Sequence, residues 1–367
     1  MPVDVVSDYL EAVYTQRITT TDLHEGLFRE YFSRFKNHAE AGWGKQFKDA
    51  SGAAEWEMMQ RIERNLRDFT AHKQATITGD LRKLLQGTDG KRDRKDWEKE
   101  AMRVMKRHNG LYLRAELDTT TQAAQAAESW QEFERRKYLY PNLRYETAGD
   151  ERVRESHRSI DGTVRPVDDP FWDTYYPPNG WRCRCKVIQT DEATTGSGAA
   201  DFEPPKGFRQ NVGKTGKLFG DDHPYFNQAA LDAERIRDNA ARMHAKVSRQ
   251  EVREWAKETD LSIRLPHFPQ PVGMTNGEVK TVTGKPHRQA ASRNQLLYIL
   301  ATLADKLKYL GTVADSGEHA AVKAWHYYSI TLDGVDYYIN IWRLFDNETE
   351  RLGIHAITDT KPDFGGP

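Results

Sequence analysis

The only two cysteines of this 367-residue chain stand one residue apart, at Cys183 and Cys185 in the string "PPNGWRCRC". That spacing raises three readings. Two thiolates in a Cys-x-Cys clasp supply half of a tetrahedral zinc site, which needs four ligands. His157 and Asp161 lie four apart in a segment that reads as a short helix, hence on one face. His157, Cys183, Cys185 and one of Asp161, Asp168 or Asp169 would then complete a structural zinc site. In the second reading both thiols are small buried hydrophobes at a strand edge. In the third, one thiol is a nucleophile with His157 as its base and Arg182 and Arg184 lowering its pKa. A disulfide between the pair would close a strained small ring.

A second set of chemical groups lies toward the C-terminal end. Metal-independent RNA cleavage needs a base on the 2′-hydroxyl, an acid on the leaving 5′-oxygen and cations around the phosphate. This segment offers His319, His326 and His355 as acid or base, and Lys323, Arg343 and Arg293 as phosphate cations. Tyr327, Tyr338, Asn340 and Trp342 fall on one strand face that could stack and bind bases. Residues 271–308 hold six Lys/Arg against two Asp/Glu, and residues 309–367 four against nine, so the helix side would face RNA. The alternative is that His326, opposite Ile341, is a packed core histidine and the aromatics are cross-strand packing.

These groups must be positioned by an α+β chain. Residues 1–137 read as helical: Leu23, Leu27, Phe28, Tyr31, Phe32 and Phe35 recur at helical spacing, between an N-cap at Thr21-Asp22 and a stop at Gly42. Met58, Ile62, Leu66 and Phe69 form the stripe of a second helix. Residues 81–107 carry ten Lys/Arg against five Asp/Glu, read as a solvated helix face. Residues 138–192 are a small mixed block. In it "LRYETAG" is a strand, "DERVRESHRSI" a short helix capped by Asp150 and closed by Gly162, and "RCRCKVIQT" a closing strand. Residues 193–268 read as a connector carrying one helix.

Residues 269–367 read as a small domain of helix plus antiparallel sheet. Ser292 to Gln295 match a capping box, followed by an apolar stripe of Leu296, Ile299, Leu300, Leu303 and Leu307 that Gly311 stops. In "WHYYSITLDGVDYYINIW" the Asp333-Gly334 pair predicts a two-residue type I′ hairpin. Leu332 then faces Val335, Ile330 pairs with Tyr337, Tyr328 with Ile339 and His326 with Ile341, on the core face. "RLGIHAITD" supplies a third strand.

Net charge is −1 and mean hydropathy −0.82, so nothing global draws the chain to nucleic acid or membrane. No run approaches the roughly 20 apolar residues of a membrane span. The first residues, "MPVDVVSDYLEAVY", lack the basic and apolar regions of a secretory signal. Two cysteines do not make a secreted disulfide framework, so the expected compartment is a reducing cytoplasm or a particle assembled in one.

The block "GDERVRESHRSIDG…VDDPFWDTYYPPNGWRCRC" resembles the signature of the phage Mu F-like minor head proteins, the head-morphogenesis family. The match falls on Asp150, Arg152, His157, Asp161, Gly162, Pro177, Pro178, Asn179, Gly180, Trp181, Cys183, Arg184 and Cys185. The resemblance implies a low-copy protein of the virion head with portal and capsid proteins as partners, and no catalysis in this block. Residues 286–361 are similar, more loosely, to phage-borne nuclease-like domains of the barnase, EndoU, colicin and RelE superfamily. The carrying strings are "NQLLYILATLADKLKYLG", "VKAWHYYSITLDGVDYYINI" and "LGIHAITD". That likeness implies an endoribonuclease-like toxin domain needing no cofactor, acting on tRNA or mRNA in the host cytoplasm, with a cognate immunity protein. Lys323, His326, Arg343 and His355 would be its catalytic set. The competing expectation is a purely structural protein whose last domain is an inactive binding module.

Overall fold

The computed structural model describes residues 1–87, 90–196, 202–227, 232–285, 287, 289–317, 319, 321–346 and 349–363. The chain clusters into two units, one of residues 1–46 and 61–240, the other of residues 47–60 and 241–367.

The first unit is built around one long helix. Its helices are α1 (Val3–Tyr14), α2 (Glu25–Trp43), α3 (Ala53–Lys83, whose residues up to 60 count with the second unit), α4 (Arg94–Arg107) and α5 (Leu113–Arg136), with a π-helical turn at His108–Tyr112 before α5. A two-residue ribbon, β1 (Gln86–Gly87) with β2 (Gly90–Lys91), links α3 to α4. Ile62, Leu66 and Phe69 of α3 are buried as their spacing predicts. Each neighbour reaches α3 through a different group. Tyr9 of α1 bonds Thr78 at 2.8 Å, and Phe35 of α2 meets Phe69 edge-on at 5.3 Å. Trp97 of α4 donates to the Leu81 carbonyl at 3.1 Å, and Glu116 of α5 pairs with Lys73 at 2.7 Å.

The ends of α2 differ from expectation. His24 caps it by accepting from the Leu27 N–H, and Gly44, at φ +88°, closes it. Gly42 lies inside the helix: a Cβ there would stand 2.1 Å from the Thr121 carbonyl oxygen of α5. This glycine permits close approach of two helices instead of ending one.

The mixed block forms a three-stranded antiparallel sheet with β3 (Asn142–Glu146) between β4 (Val164–Pro166) and β5 (Lys186–Thr190). Two short helices, α6 (Glu155–Arg158) and α7 (Phe171–Tyr175), cover its connections. Residues 202–227, read from composition as connector, are packed. Phe208, Val212, Leu218 and Phe219 are buried, and Phe219 stacks on Phe69 at 3.6 Å. Large apolar side chains outweigh the Pro/Gly texture there. This stretch includes α8 (Val212–Thr215). Helix α9 (Ala233–Trp255) follows, its residues from 241 onward counting with the second unit.

The second unit continues with β6 (Leu261–Ile263), β7 (Val272–Met274), α10 (Asn276–Gly284), α11 (Ala290–Ile299), β8 (Lys308–Ala314), β9 (Val322–Leu332), β10 (Val335–Asp346) and β11 (Thr349–Thr358). The sheet order is β6-β7-β11-β10-β9-β8, antiparallel except where β7 runs parallel to β11. The hairpin has the expected register, Leu332 to Val335 through His326 to Ile341. Asp333 and Gly334 sit at φ +49° and +72°, as a type I′ turn demands. Tyr328, Ile330, Leu332, Tyr337, Ile339 and Ile341 are buried on the predicted core face.

Helix α11 ends at Ile299, so Leu303 and Leu307 are buried beyond it and Gly311 belongs to β8. Ser292 lies within α11 and caps nothing; the capping box is Thr275 with Glu278, at the start of α10. Among the described residues no helix is long and apolar enough to cross a membrane.

Candidate metal centre and a second polar cluster

The stretch from Tyr176 to Cys185 is tied down at several points. Tyr176 is buried and donates to the Ala126 carbonyl of α5 at 2.8 Å. The Cys183 N–H closes a turn on the Gly180 carbonyl at 3.1 Å, and Arg154 donates to the Trp181 carbonyl at 2.7 Å. Arg184 forks onto both carboxylate oxygens of Asp150 at 2.6 and 2.7 Å. Asp150 therefore clamps the cysteine turn instead of capping α6. Its carboxyl is held well below the usual range, chiefly by Arg184.

Held this way, Cys183 points inward and is 2% exposed, while Cys185 is half-buried; both are free thiols. His157 of α6, 3% exposed, meets them. Its Nδ1 lies 3.4 Å from Cys185 Sγ and 3.7 Å from Cys183 Sγ. The three ligand atoms lie within 4.8 Å of one another. Phe202 stacks on the imidazole at 5.5 Å. Tyr145, also buried, donates to Asn179 Oδ1 at 2.8 Å. The hydrogen bond from Cys185, with help from His157 and the backbone, holds the Cys183 thiol below its ordinary range; the same sharing pushes Cys185 up. Burial takes Cys183 out of a substrate's reach, which counts against the nucleophile reading.

Asp161 is not brought to this cluster. Helix α6 stops at Arg158, so the four-residue spacing from His157 does not place both on one helical face. The Asp161 carboxylate instead accepts from the Thr147 N–H at 2.8 Å. Asp168 pairs with Lys137 and Asp169 accepts from the Phe171 N–H.

In the second unit the predicted residues separate. His355 is the extra residue of a bulge, because Asn340 pairs with Ala356 and Ile341 with Ile354. Its ring stands 4.6 Å from Trp342 and 5.1 Å from Trp325. Lys285 Nζ donates to His355 Nε2 at 2.8 Å. Burial, with the Lys285 charge, pushes the imidazole down to about 4, so it is neutral and accepting at pH 7. Beside it Glu278 of α10 accepts from Trp342 Nε1 at 2.7 Å and from both terminal nitrogens of Arg351 at 2.8 and 3.1 Å. His319 and Asp315 flank Trp325 on the same side.

The remaining candidates lie elsewhere. His326 is buried on the core face, with Nδ1 2.6 Å from Thr312 Oγ1 and its ring edge-on to Phe268. Lys323 lies over the Phe345 ring at 3.6 Å, and Arg343 pairs with Glu350. Arg293 is 0% exposed and donates to the Lys285 and Ile357 carbonyls. It is a core tie between α11 and β11, since a phosphate cannot reach a guanidinium with no exposed surface. Tyr327, Tyr338 and Asn340 stay half-buried on the face of Trp342. Sequence reasoning missed Glu278, Lys285 and Arg351. The one local signal was "TNGE", a capping-box string that marks Glu278 as fixed in place.

Residues 73–188 match the family model "Phage Mu protein F like protein". The "Mu-like prophage FluMu F protein" of Haemophilus influenzae is 38% identical over 80 residues, 22% of this chain and 18% of that protein. The "Putative capsid assembly protein F" of Escherichia phage Mu is 49% identical over 49 residues, 13% of this chain and 11% of that protein. The matched stretches thus span less than a fifth of either curated relative's length. No solved structure matches the chain.

Proposed function

We propose, from the premise that residues 73–188 belong to the Phage Mu protein F like family, that this chain is a minor head protein of a phage or prophage. It would act in capsid assembly, with portal and capsid proteins as partners, and be carried in the virion head. The observation that carries this reading is that the matched stretch contains the clamped turn of Cys183 and Cys185 together with His157. The experiment is deletion of its coding sequence from the parent phage or prophage. Few or no DNA-filled heads are expected, and rescue by the intact chain. An undiminished yield of infectious particles lacking the chain would refute the assignment.

For the second unit the reading is an RNase-type effector that cleaves RNA without metal in the host cytoplasm, opposed by a cognate immunity protein. The gathering of Lys285, Arg351, Glu278 and His355 beside Trp325 and Trp342 supports it. Cations for a phosphate, a neutral proton acceptor and stacking surfaces share that side of the sheet. In this reading His355 with Trp342, Tyr327, Tyr338 and Asn340 on its face would serve as expected, and Lys285 and Arg351 would take the roles expected of Lys323 and Arg343. Incubation of the full chain with total RNA and tRNA, in chelator, should give cleavage that His355→Ala lowers about 100-fold or more. No cleavage together with no growth defect on expression would leave a binding module, whose ligand should then be lost on Trp342→Ala.

A further inference from the structure

We propose that His157 Nδ1, Cys183 Sγ and Cys185 Sγ bind one soft divalent cation, zinc foremost, with a fourth position left to water or another exogenous ligand. The separations fit a metal better than mere packing. With zinc–sulfur bonds of about 2.3 Å and a zinc–nitrogen bond of about 2.0 Å, the sulfur-to-nitrogen edge of a tetrahedron is about 3.5 Å. The two observed edges are 3.4 and 3.7 Å. Thiols serving only as packed hydrophobes would not need one imidazole nitrogen within 3.7 Å of both sulfurs.

The surroundings hold the ligands before any ion arrives. Phe202 packs against the His157 ring, with centroids 5.5 Å apart. The Arg184–Asp150 fork pins the residue between the two cysteines, and Arg154 pins the Trp181 carbonyl just before them. Outer contacts that fix ligand orientation are what a metal site needs for affinity. Among the described residues no further His, Cys, Asp or Glu joins the group. Asp161, Asp168 and Asp169 are engaged elsewhere. A soft donor pair with one imidazole selects zinc over magnesium or calcium.

Such an ion would tie α6 to the turn that enters β5. That is a staple for a three-stranded block too small to bury much core of its own. The inference rests on this block alone and is independent of any activity in the second unit.

The test uses the full chain purified under reducing conditions. Elemental analysis should find about one zinc per chain, falling to near zero in Cys185→Ser and His157→Ala. Cobalt exchange should give a thiolate-to-metal charge-transfer band that both variants lose. Because a variant could fail to fold, the wild-type chain carries a second measurement. After chelation, added zinc should protect both thiols from an alkylating reagent. Thiols that react equally with and without zinc, or zinc retained at full stoichiometry in Cys185→Ser, would overturn the site.

Discussion

Replacing Lys73 by methionine should destabilise the first unit by about 3–5 kcal/mol, the cost of leaving one charge of a buried pair alone. Lys73 is 0% exposed and Glu116 3%, and their charged atoms meet at 2.7 Å. Tyr225 donates a further hydrogen bond to Glu116 at 2.9 Å, and the Lys73 ammonium lies over the rings of Tyr31 and Tyr225. Without Lys73 the carboxylate keeps, among the described residues, the Tyr225 phenol as its hydrogen-bond partner at a site only 3% exposed. Replacing both, Lys73→Met with Glu116→Met, removes the stranded charge and should recover most of the loss. Hydrogen exchange of α3 and α5 amides is the readout, since the chain has two units and a single melting point would mix them. A second signature follows from charge. Burial first, and the Lys73 ammonium second, hold the His223 imidazole down at about 4. Its pKa should therefore rise in the Lys73→Met chain. A single variant costing under about 1 kcal/mol would mean that water reaches the pair.

What the sequence discloses depends on how far apart the deciding residues are. The hairpin of β9 and β10 is legible to the residue pair because Asp333-Gly334 sets the turn and the alternation then sets the face. The stripe of α3 is legible for the same reason, being periodic within one element. Glycine is ambiguous: Gly42 and Gly44 both suit a helix end, and only the approach of α5 at Thr121 tells which one stops α2. Capping strings share this defect. "SRNQ" and "TNGE" both satisfy the pattern, and only the second starts a helix.

The candidate sites divide along the same line. His157, Cys183 and Cys185 could be joined from residue type alone, because few other groups in the block bind soft metal. Asp161 was joined to them by a helical periodicity that α6 is too short to impose. In the second unit, side-chain chemistry named His355 and Trp342 but not their partners. Glu278 and Lys285 come from α10 and the loop after it, some 60 to 70 positions away from Trp342 and His355. Arg293 carried the right charge for a phosphate contact, yet α11 turns it into the core. Charge is a property of the residue; exposure is a property of the packing, and periodicity does not report it for a short helix.

The packing behind the cysteine turn carries the other large effect. A Cβ on Gly213 of α8 would stand 2.0 Å from Trp130 Cβ and 2.3 Å from Cγ, on α5. These are the stem atoms of the indole, which a rotamer change moves little. Trp130 is itself 2% exposed and packs edge-on against Tyr176 at 4.9 Å, the residue that leads into "PPNGWRCRC". Gly213→Ala must therefore either lift α8 from α5, straining the bond from Gln131 to the Gly213 carbonyl, now 2.9 Å, or push Trp130 into Tyr176. Helix propensity favours alanine by about 1 kcal/mol. Overpacking opposes it by about 1–3 kcal/mol or more, and contact with two stem atoms places this site at the upper end. The net expectation is a loss of at least about 2 kcal/mol, read as faster exchange in α5 and α8. Because Tyr176 leads into the cysteine turn, reactivity of Cys183 toward an alkylating reagent should rise in the same variant. Gly110→Ala, in the exposed π-helical turn with nothing within 4 Å of the new methyl, is the control and should be neutral or mildly stabilising. If the two substitutions behaved alike, Gly213 would owe its identity to chain flexibility and not to the contact with Trp130.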